Sequence, residues 1–521
     1  MSQSKSAALV TAWEAASHRV YSLVEVKWDR TNWITETGRV LSLNISRSLY
    51  DELVGLPLLG QAPPGTATVE LDNFDQRFTP TADGAIVPAT GIFRIPIRIT
   101  MGYYLANGVD VEGIRQFTGE IELSPLSETA DNRTVTLNCI DVALDITQRK
   151  WSSQVYLDKR ADQLIATLLN QSDLGSRALD YGISVFPYAW LDDENLWEEI
   201  QKIARADSGW FYMDETGKCC YERATHWLEG AYHTASQATL AQGLAWSLDR
   251  NVTWRDCYTG VIVEYAPRFI GLQTEVYQAT EVIVVPPGAT IEHVARFNSP
   301  VYSIITPEAW SAGHTAVWDY QAVNAAGGNM ASSISIAALV AGTNLFAQRA
   351  ELAITNAHAT ATAYVMFLKI RGYPLVGDEA VEDTAYATDA ILTSYWPGTT
   401  KAIQRKQKTY PIRGQDFLQT HAAAHRLANW LRDILQVPRN IIFWSGAACP
   451  WLQLGDRVVC SVPTVGNVAC YVGAIEQTYR ADSLYEMKLK LIPVTDLFAQ
   501  DSYFVIGVDE WADPVSDYVF Y

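Results

Sequence analysis

The chain has 521 residues, with 58 acidic against 39 basic side chains and a net charge of −19. That length exceeds what one hydrophobic core fills and suggests roughly three to five domains, while the charge excludes nucleic acid and anionic membrane as tight partners. With 48% apolar residues and 17 Trp, 26 Tyr and 15 Phe the composition excludes extended disorder, and no uninterrupted apolar run of about 18 residues is present, so no membrane anchor is expected.

Residues 1–19 read as an N-terminal arm. They lack a basic region followed by a long apolar core and a small-residue cleavage site, so no secretion signal is expected and synthesis is expected in the cytoplasm. Residues 20–150 alternate with period two: Leu41, Leu43 and Ile45 against Ser42, Asn44 and Ser46, and Ile95, Ile97, Ile99 and Met101 against Arg94, Pro96, Arg98 and Thr100. Turn residues separate these runs, which predicts an antiparallel barrel or sandwich. Within it, "TATVELDNFDQRFTP" places Glu70, Asp72, Asn73 and Asp75 close together. The run lacks the 1, 3, 5 spacing and the glycine of a calcium loop, and lacks a second carboxylate at a definable distance. It reads as a strand end in which Asn73 and Asp75 bond backbone in a turn and Phe74 or Phe78 anchors it.

The pattern changes at Trp151. Residues 151–243 predict a small α+β domain: Leu164, Ile165, Leu168 and Leu169 form one helical stripe, and a second helix opens with Asp192, Asp193 and Glu194, continues with Glu198 and Glu199, and leads into a hairpin. Strand patterns return over 244–289 and 375–495, forming a second β domain that closes with a helix over 415–437 and a long hairpin turning near 480–483. Between them, 290–374 is rich in Ala, Ser, Thr and Asn and reads as an inserted β-sandwich. Residues 496–521, acidic and aromatic with no Lys or Arg, read as a docking peptide or as a strand laid on their own chain. The fold class is therefore mainly β with α+β parts.

Candidate chemistry is sparse. Seven cysteines at 139, 219, 220, 257, 449, 460 and 470 include no CxxC and read as reduced, buried thiols rather than a zinc site. His421 and His425 are four apart on the predicted helix, but "HAAAH" lacks the adjacent glutamate of a zinc hydrolase, and His421 falls in the apolar stripe with Phe417, Ala424, Ala428, Leu431 and Leu435. Packed or edge histidines are the reading, with no metal or cofactor. Nucleophile-elbow, P-loop and dinucleotide motifs are absent. Lys401, Arg405, Lys406, Lys408 and Arg413 form the one concentrated basic patch, read as a solvated surface or as a face for an acidic partner.

The order of these modules resembles the baseplate hub, or tail-tip hub, proteins of tailed phages and gene transfer agents, related to the hub of contractile tails. The resemblance rests on "TATVELDNFDQRFTP", with Asn73, Asp75, Phe78 and Pro80, on "GEIELSPLSETADNRTVTLNCIDVALDITQRK", "RADQLIATLLNQ" and "IARADSGWFYMDETGKCCYE", and on "CPWLQLGDRVVCSV", with Pro450, Leu452, Gly455 and Asp456. It implies two tube-like antiparallel β-barrel domains per chain. It also implies a homotrimeric ring that adapts a hexameric tail tube to trimeric tip proteins, without enzymatic activity or cofactor. Partners would be a tail tube or distal tail protein, the tape measure protein and a tip or central fibre protein. DNA would pass without specific binding, and the ring would sit at the virion tail tip after assembly in the host cytoplasm. The chain ends soon after the closing hairpin, so no fibre or lytic domain is expected within it. A tail-associated cell-wall hydrolase using paired carboxylates, or a carbohydrate-binding adhesin using the inserted sandwich, is the alternative.

Overall fold

Alternation of apolar and polar residues puts one face of each strand in water and one in a core, and the strand Ile95–Tyr104 follows this, with Ile95, Ile97, Ile99 and Met101 all buried. The computed structural model describes residues 3–494 other than 16, 51–61, 80–81, 83, 88–93, 123–126, 130–132, 229–234, 254–256, 310–318, 338–344, 415 and 482–483. The acidic aromatic segment 496–521 lies outside the described residues.

One 14-stranded sheet dominates. Its path runs through Ala245–Thr253, Arg439–Ala447, Leu484–Pro493, Gly466–Arg480, Val40–Ser48, Thr66–Asp72, Thr134–Asp141, Val111–Ile121, Ile95–Tyr104, Val20–Val26 and Ile34–Thr35. The first four strands come from late in the chain and the rest from its beginning. They meet where Val40–Ser48 pairs antiparallel with Gly466–Arg480, from Ser42 opposite Arg480 to Ser48 opposite Ala474. Val40–Ser48 is also bonded on its other side to Thr66–Asp72. Both of its edges are therefore used, and it cannot return to close a barrel within the first half. Among the described residues no sheet closes on itself, so in place of two barrels the chain builds two open halves of one sheet.

Leu41, expected to face inward, is exposed, while Val40 is buried. The register slips between Val40 and Ser42, and a bulge moves the following side chains to the opposite face. Helix Ala161–Leu169 buries Leu164, Ile165, Leu168 and Leu169 as its stripe requires. Helix Leu196–Ala206 starts later than the acidic run suggests: Asn195 caps it, its side chain accepting from the Trp197 and Glu198 amides, and Asp193 instead pairs with Lys150 at 3.2 Å. All seven cysteines are buried.

The chain leaves the second half after the strand Gly260–Tyr265 and returns on Val381–Tyr386, its antiparallel partner. Between them lies a module with its own core of Val276, Val285, Val301, Leu352, Ile354, Val365, Ile370 and neighbours, shared by two groups of strands. One group gathers around the 15-residue strand Ala363–Gly377 and the other is Thr290–Arg296, Arg349–Asn356 and Ile334–Ile336. The helix His421–Leu435 packs on Gly260–Tyr265 and Val381–Tyr386. Thr420 caps it, so Phe417 precedes it and His421 is its first residue, exposed to solvent rather than packed in the stripe. Ala424, Ala428, Leu431 and Leu435 are buried.

Candidate functional site

The acidic cluster near the first strand ends is fully engaged locally. Glu70 accepts from the Ser42 hydroxyl at 3.0 Å and Asp72 from the Phe74 amide at 3.0 Å. Asp75 takes both ends of the Arg39 guanidinium, at 2.8 and 2.7 Å, and that hydrogen bonding holds its carboxyl below the usual range. Its contact with backbone, the Arg77 amide at 3.4 Å, is the weaker one. Asn73 is the buried clip of the turn: its Oδ1 accepts from the Phe78 amide at 2.9 Å, its Nδ2 donates to Thr79 at 3.1 Å, and its own amide donates to the Arg133 carbonyl at 2.8 Å. Phe78 is buried against Trp28 at 5.5 Å while Phe74 is exposed, so Phe78 is the anchor. Pro80 lies outside the described residues.

The second group, Pro450, Leu452, Gly455 and Asp456, forms a buried turn at the other end of the molecule's main core. Gly455 has φ +80°, and a Cβ there would come within 3.1 Å of Trp227 Nε1, which together require glycine. Asp456 Oδ2 accepts from the Gln453 amide at 2.9 Å; burial pushes its carboxyl up to about 7, with Glu215 and Glu222 adding to the effect. Leu452 is buried. The Pro450 carbonyl accepts from Gln116 Nε2 at 2.7 Å, which ties this turn to the first half.

These two turns flank a seam. The tip of the Trp210–Met213/Cys219–Glu222 hairpin inserts Glu215 between the halves, with its side chain buried. Glu215 accepts from Arg47 Nη1 of the first half at 2.9 Å, from Gln453 of the second half and from Gln3 of the N-terminal arm. Its backbone carbonyl accepts from Thr118 at 2.9 Å. Arg47 is equally buried, and its Nε and Nη2 have no hydrogen-bond partner among the described residues. Beside it, Gln477 of the second half donates to Gln116 of the first at 2.6 Å, both fully buried. Aromatic contacts complete the join. Trp13 donates to the Ala447 carbonyl at 3.0 Å and meets Trp451 edge-on at 5.3 Å, Tyr103 donates to the Ala448 carbonyl at 2.6 Å, and Trp210, Trp227 and Tyr471 stack in series.

Sequence reasoning missed Glu215, Arg47, Gln116 and Gln477. A signal for two of them exists: Arg47 continues the inward phase of Leu43 and Ile45, and Gln477 that of Ile475 and Tyr479, so a charge and an amide stand where the pleat requires apolar groups. The basic patch is largely neutralised within the chain. Lys401 and Arg405 hold Asp389 at 2.7 and 2.9 Å, and Arg413 reaches Glu382 at 3.0 Å.

No protein-family model matches this chain, and no curated protein matches its sequence. Solved structures do match. The 43 kDa tail protein of prophage MuSo2 from Shewanella oneidensis aligns over 92% of this chain and 99% of its own at 11% identity and a TM-score of 0.48. The chain is structurally similar to phage tail proteins. A tail protein from Neisseria meningitidis MC58 gives a TM-score of 0.48 at 9% identity over 92% of this chain and 98% of that one. An Escherichia coli component of the type VI secretion system gives 0.38 at 8% identity over 92% and 78%. With identities of 11% or less and TM-scores of 0.48 or less, these likenesses are a resemblance and carry no conclusion about activity.

Proposed function

We propose that this chain is a structural hub of a phage tail tip, acting as a homotrimeric ring between a hexameric tail tube and trimeric tip proteins. The observation that supports it best is the seam: two antiparallel halves are fused edge to edge into one sheet and locked by a buried polar network. Three copies supply six such halves, the number a sixfold tube above requires, while the chain itself remains threefold. In that ring each half is a tube-like domain, and the net charge of −19 lets DNA or a tape measure protein pass without adhering. The ring sits at the tail tip, with a tail tube or distal tail protein above it and a tip or central fibre protein below. The role is non-enzymatic: each acidic residue of the first turn is engaged by a neighbour, which leaves no poised carboxylate pair there.

Mass in solution together with particle images tests this reading. A trimer with a central hole wide enough for duplex DNA is expected. A chain that stays monomeric at every concentration, or that clears peptidoglycan in a zymogram through a single carboxylate, overturns it.

A further inference from the structure

The helix His421–Leu435 begins with two histidines one turn apart, and their rings lie nearly parallel, 5.5 Å between centroids and 17° between planes. Both face Asp383, which stands on the returning strand Val381–Tyr386 opposite Val263. His425 Nδ1 is 2.9 Å from Asp383 Oδ2, and His421 Nε2 is 3.9 Å from Asp383 Oδ1. One donor atom from each of the three residues lies within 4.8 Å of the other two. The Thr384 amide, at 2.9 Å from Oδ1, fixes the carboxylate.

A simple ion pair accounts for His425, while His421 is exposed at the helix start and meets the Tyr265 ring edge-on at 6.0 Å. The second imidazole is beyond hydrogen-bond reach of the carboxylate. A metal ion explains both. Ligand atoms about 2.1 Å from a tetrahedral zinc stand about 3.4 Å apart, and the three donor atoms here lie within 4.8 Å of one another. His421, exposed at the start of the helix, is the side chain that adjusts to close the set. Two imidazole nitrogens and one carboxylate oxygen suit a borderline divalent ion, Zn²⁺ before Mg²⁺ or Ca²⁺, which prefer all-oxygen shells.

We propose that Asp383, His421 and His425 bind one divalent transition metal ion, with water completing its coordination on the solvent side. Its consequence is structural. Asp383 lies on the strand by which the chain returns from the inserted module, and both histidines lie on the helix packed over that strand, so the ion staples the base of the module to the second half. This does not depend on the hub reading.

The test is calorimetric titration of the untagged full chain, stripped with chelator, with ZnCl₂, repeated with Co²⁺ to read the visible d–d bands of imidazole ligation. One ion per chain with a Kd near or below about 1 µM is expected. His421→Ala removes an exposed side chain and leaves the fold intact, which the melting curve of the metal-free protein checks. That variant and His425→Ala each weaken binding at least tenfold, and Asp383→Asn shifts the cobalt bands. Binding that is unchanged in His421→Ala, or weaker than about 100 µM in the unaltered chain, overturns the proposal.

Discussion

The two halves of the main sheet and the module carried between Gly260–Tyr265 and Val381–Tyr386 are joined to the rest of the chain in opposite ways. The halves share a seven-residue run of backbone pairing, one apolar core and a buried network of Arg47, Glu215, Gln116 and Gln477. The module has a separate core and its own ion pair, partly exposed Arg371 with buried Asp319 at 2.8 Å. Beyond its stem it touches the α+β unit through a small third cluster of Val155, Ala347 and Leu375, an Ala347 amide on the Ser153 carbonyl at 2.8 Å, and Arg268 over the Trp190 ring. The difference teaches which parts of the molecule must fold together and which are attached.

The largest effect is expected at the keystone of the seam. Glu215→Ala leaves the Arg47 guanidinium buried without its anion and removes the acceptor for Gln453 and Gln3. Stranding a buried charge costs about 3–5 kcal/mol, read as a lower denaturant midpoint at unchanged slope. The double variant Arg47→Met with Glu215→Ala recovers much of it, because the stranded charge is gone. A loss below about 1 kcal/mol for the single variant would mean that sheet pairing alone holds the halves.

How much of this was legible follows from range. The inward rows of Ile95 to Met101 and the helical stripe of Leu164 to Leu169 are local patterns, and they fold as read. Leu41 misreads because a bulge is a backbone event with no signature in a run of alternating residues. The seam was out of reach: Ser42 pairs with Arg480, and no local pattern records the partner of an edge strand. For the same reason "HAAAH" looked inert, since Asp383, which gives the two histidines a common third donor, is brought to them only by helix packing. Of the site, the two turns were visible as sequence; the Glu215 that joins their surroundings sits in a hairpin tip that reads as an ordinary polar turn.

A second way to separate seam from module is pH. Asp456 ionises ordinarily near 3.8 and is raised to about 7 by burial in the folded chain. The folded state therefore holds this proton more tightly than the unfolded one, so the contribution is fully present below pH 3.8 and is lost as pH rises through 7. The linkage is on the order of 4 kcal/mol at most. Denaturant midpoints measured from pH 5 to pH 8 should fall for the unaltered chain and fall less steeply in Asp456→Asn, which stays neutral throughout, while Asp141, also raised to about 7 by burial, supplies the remaining slope. An unchanged slope in the variant would place the titration on another group.

The smallest effect is expected from removing the module. The Asp378 amide donates to the Pro267 carbonyl at 2.9 Å, so the stem ends abut and a short glycine-rich turn can replace residues 268–377. What the remainder loses is the cover over Val155, Leu157, Tyr188 and Trp190, an apolar exposure costing about 1–2 kcal/mol. Neither the seam nor the core beneath it contacts the excised residues through any of its named hydrogen bonds. The shortened chain should therefore keep the oligomeric state of the full one and melt within a few degrees of it. Failure to fold would show that the third cluster carries more than its size implies, and the distinction between joined halves and attached module would collapse.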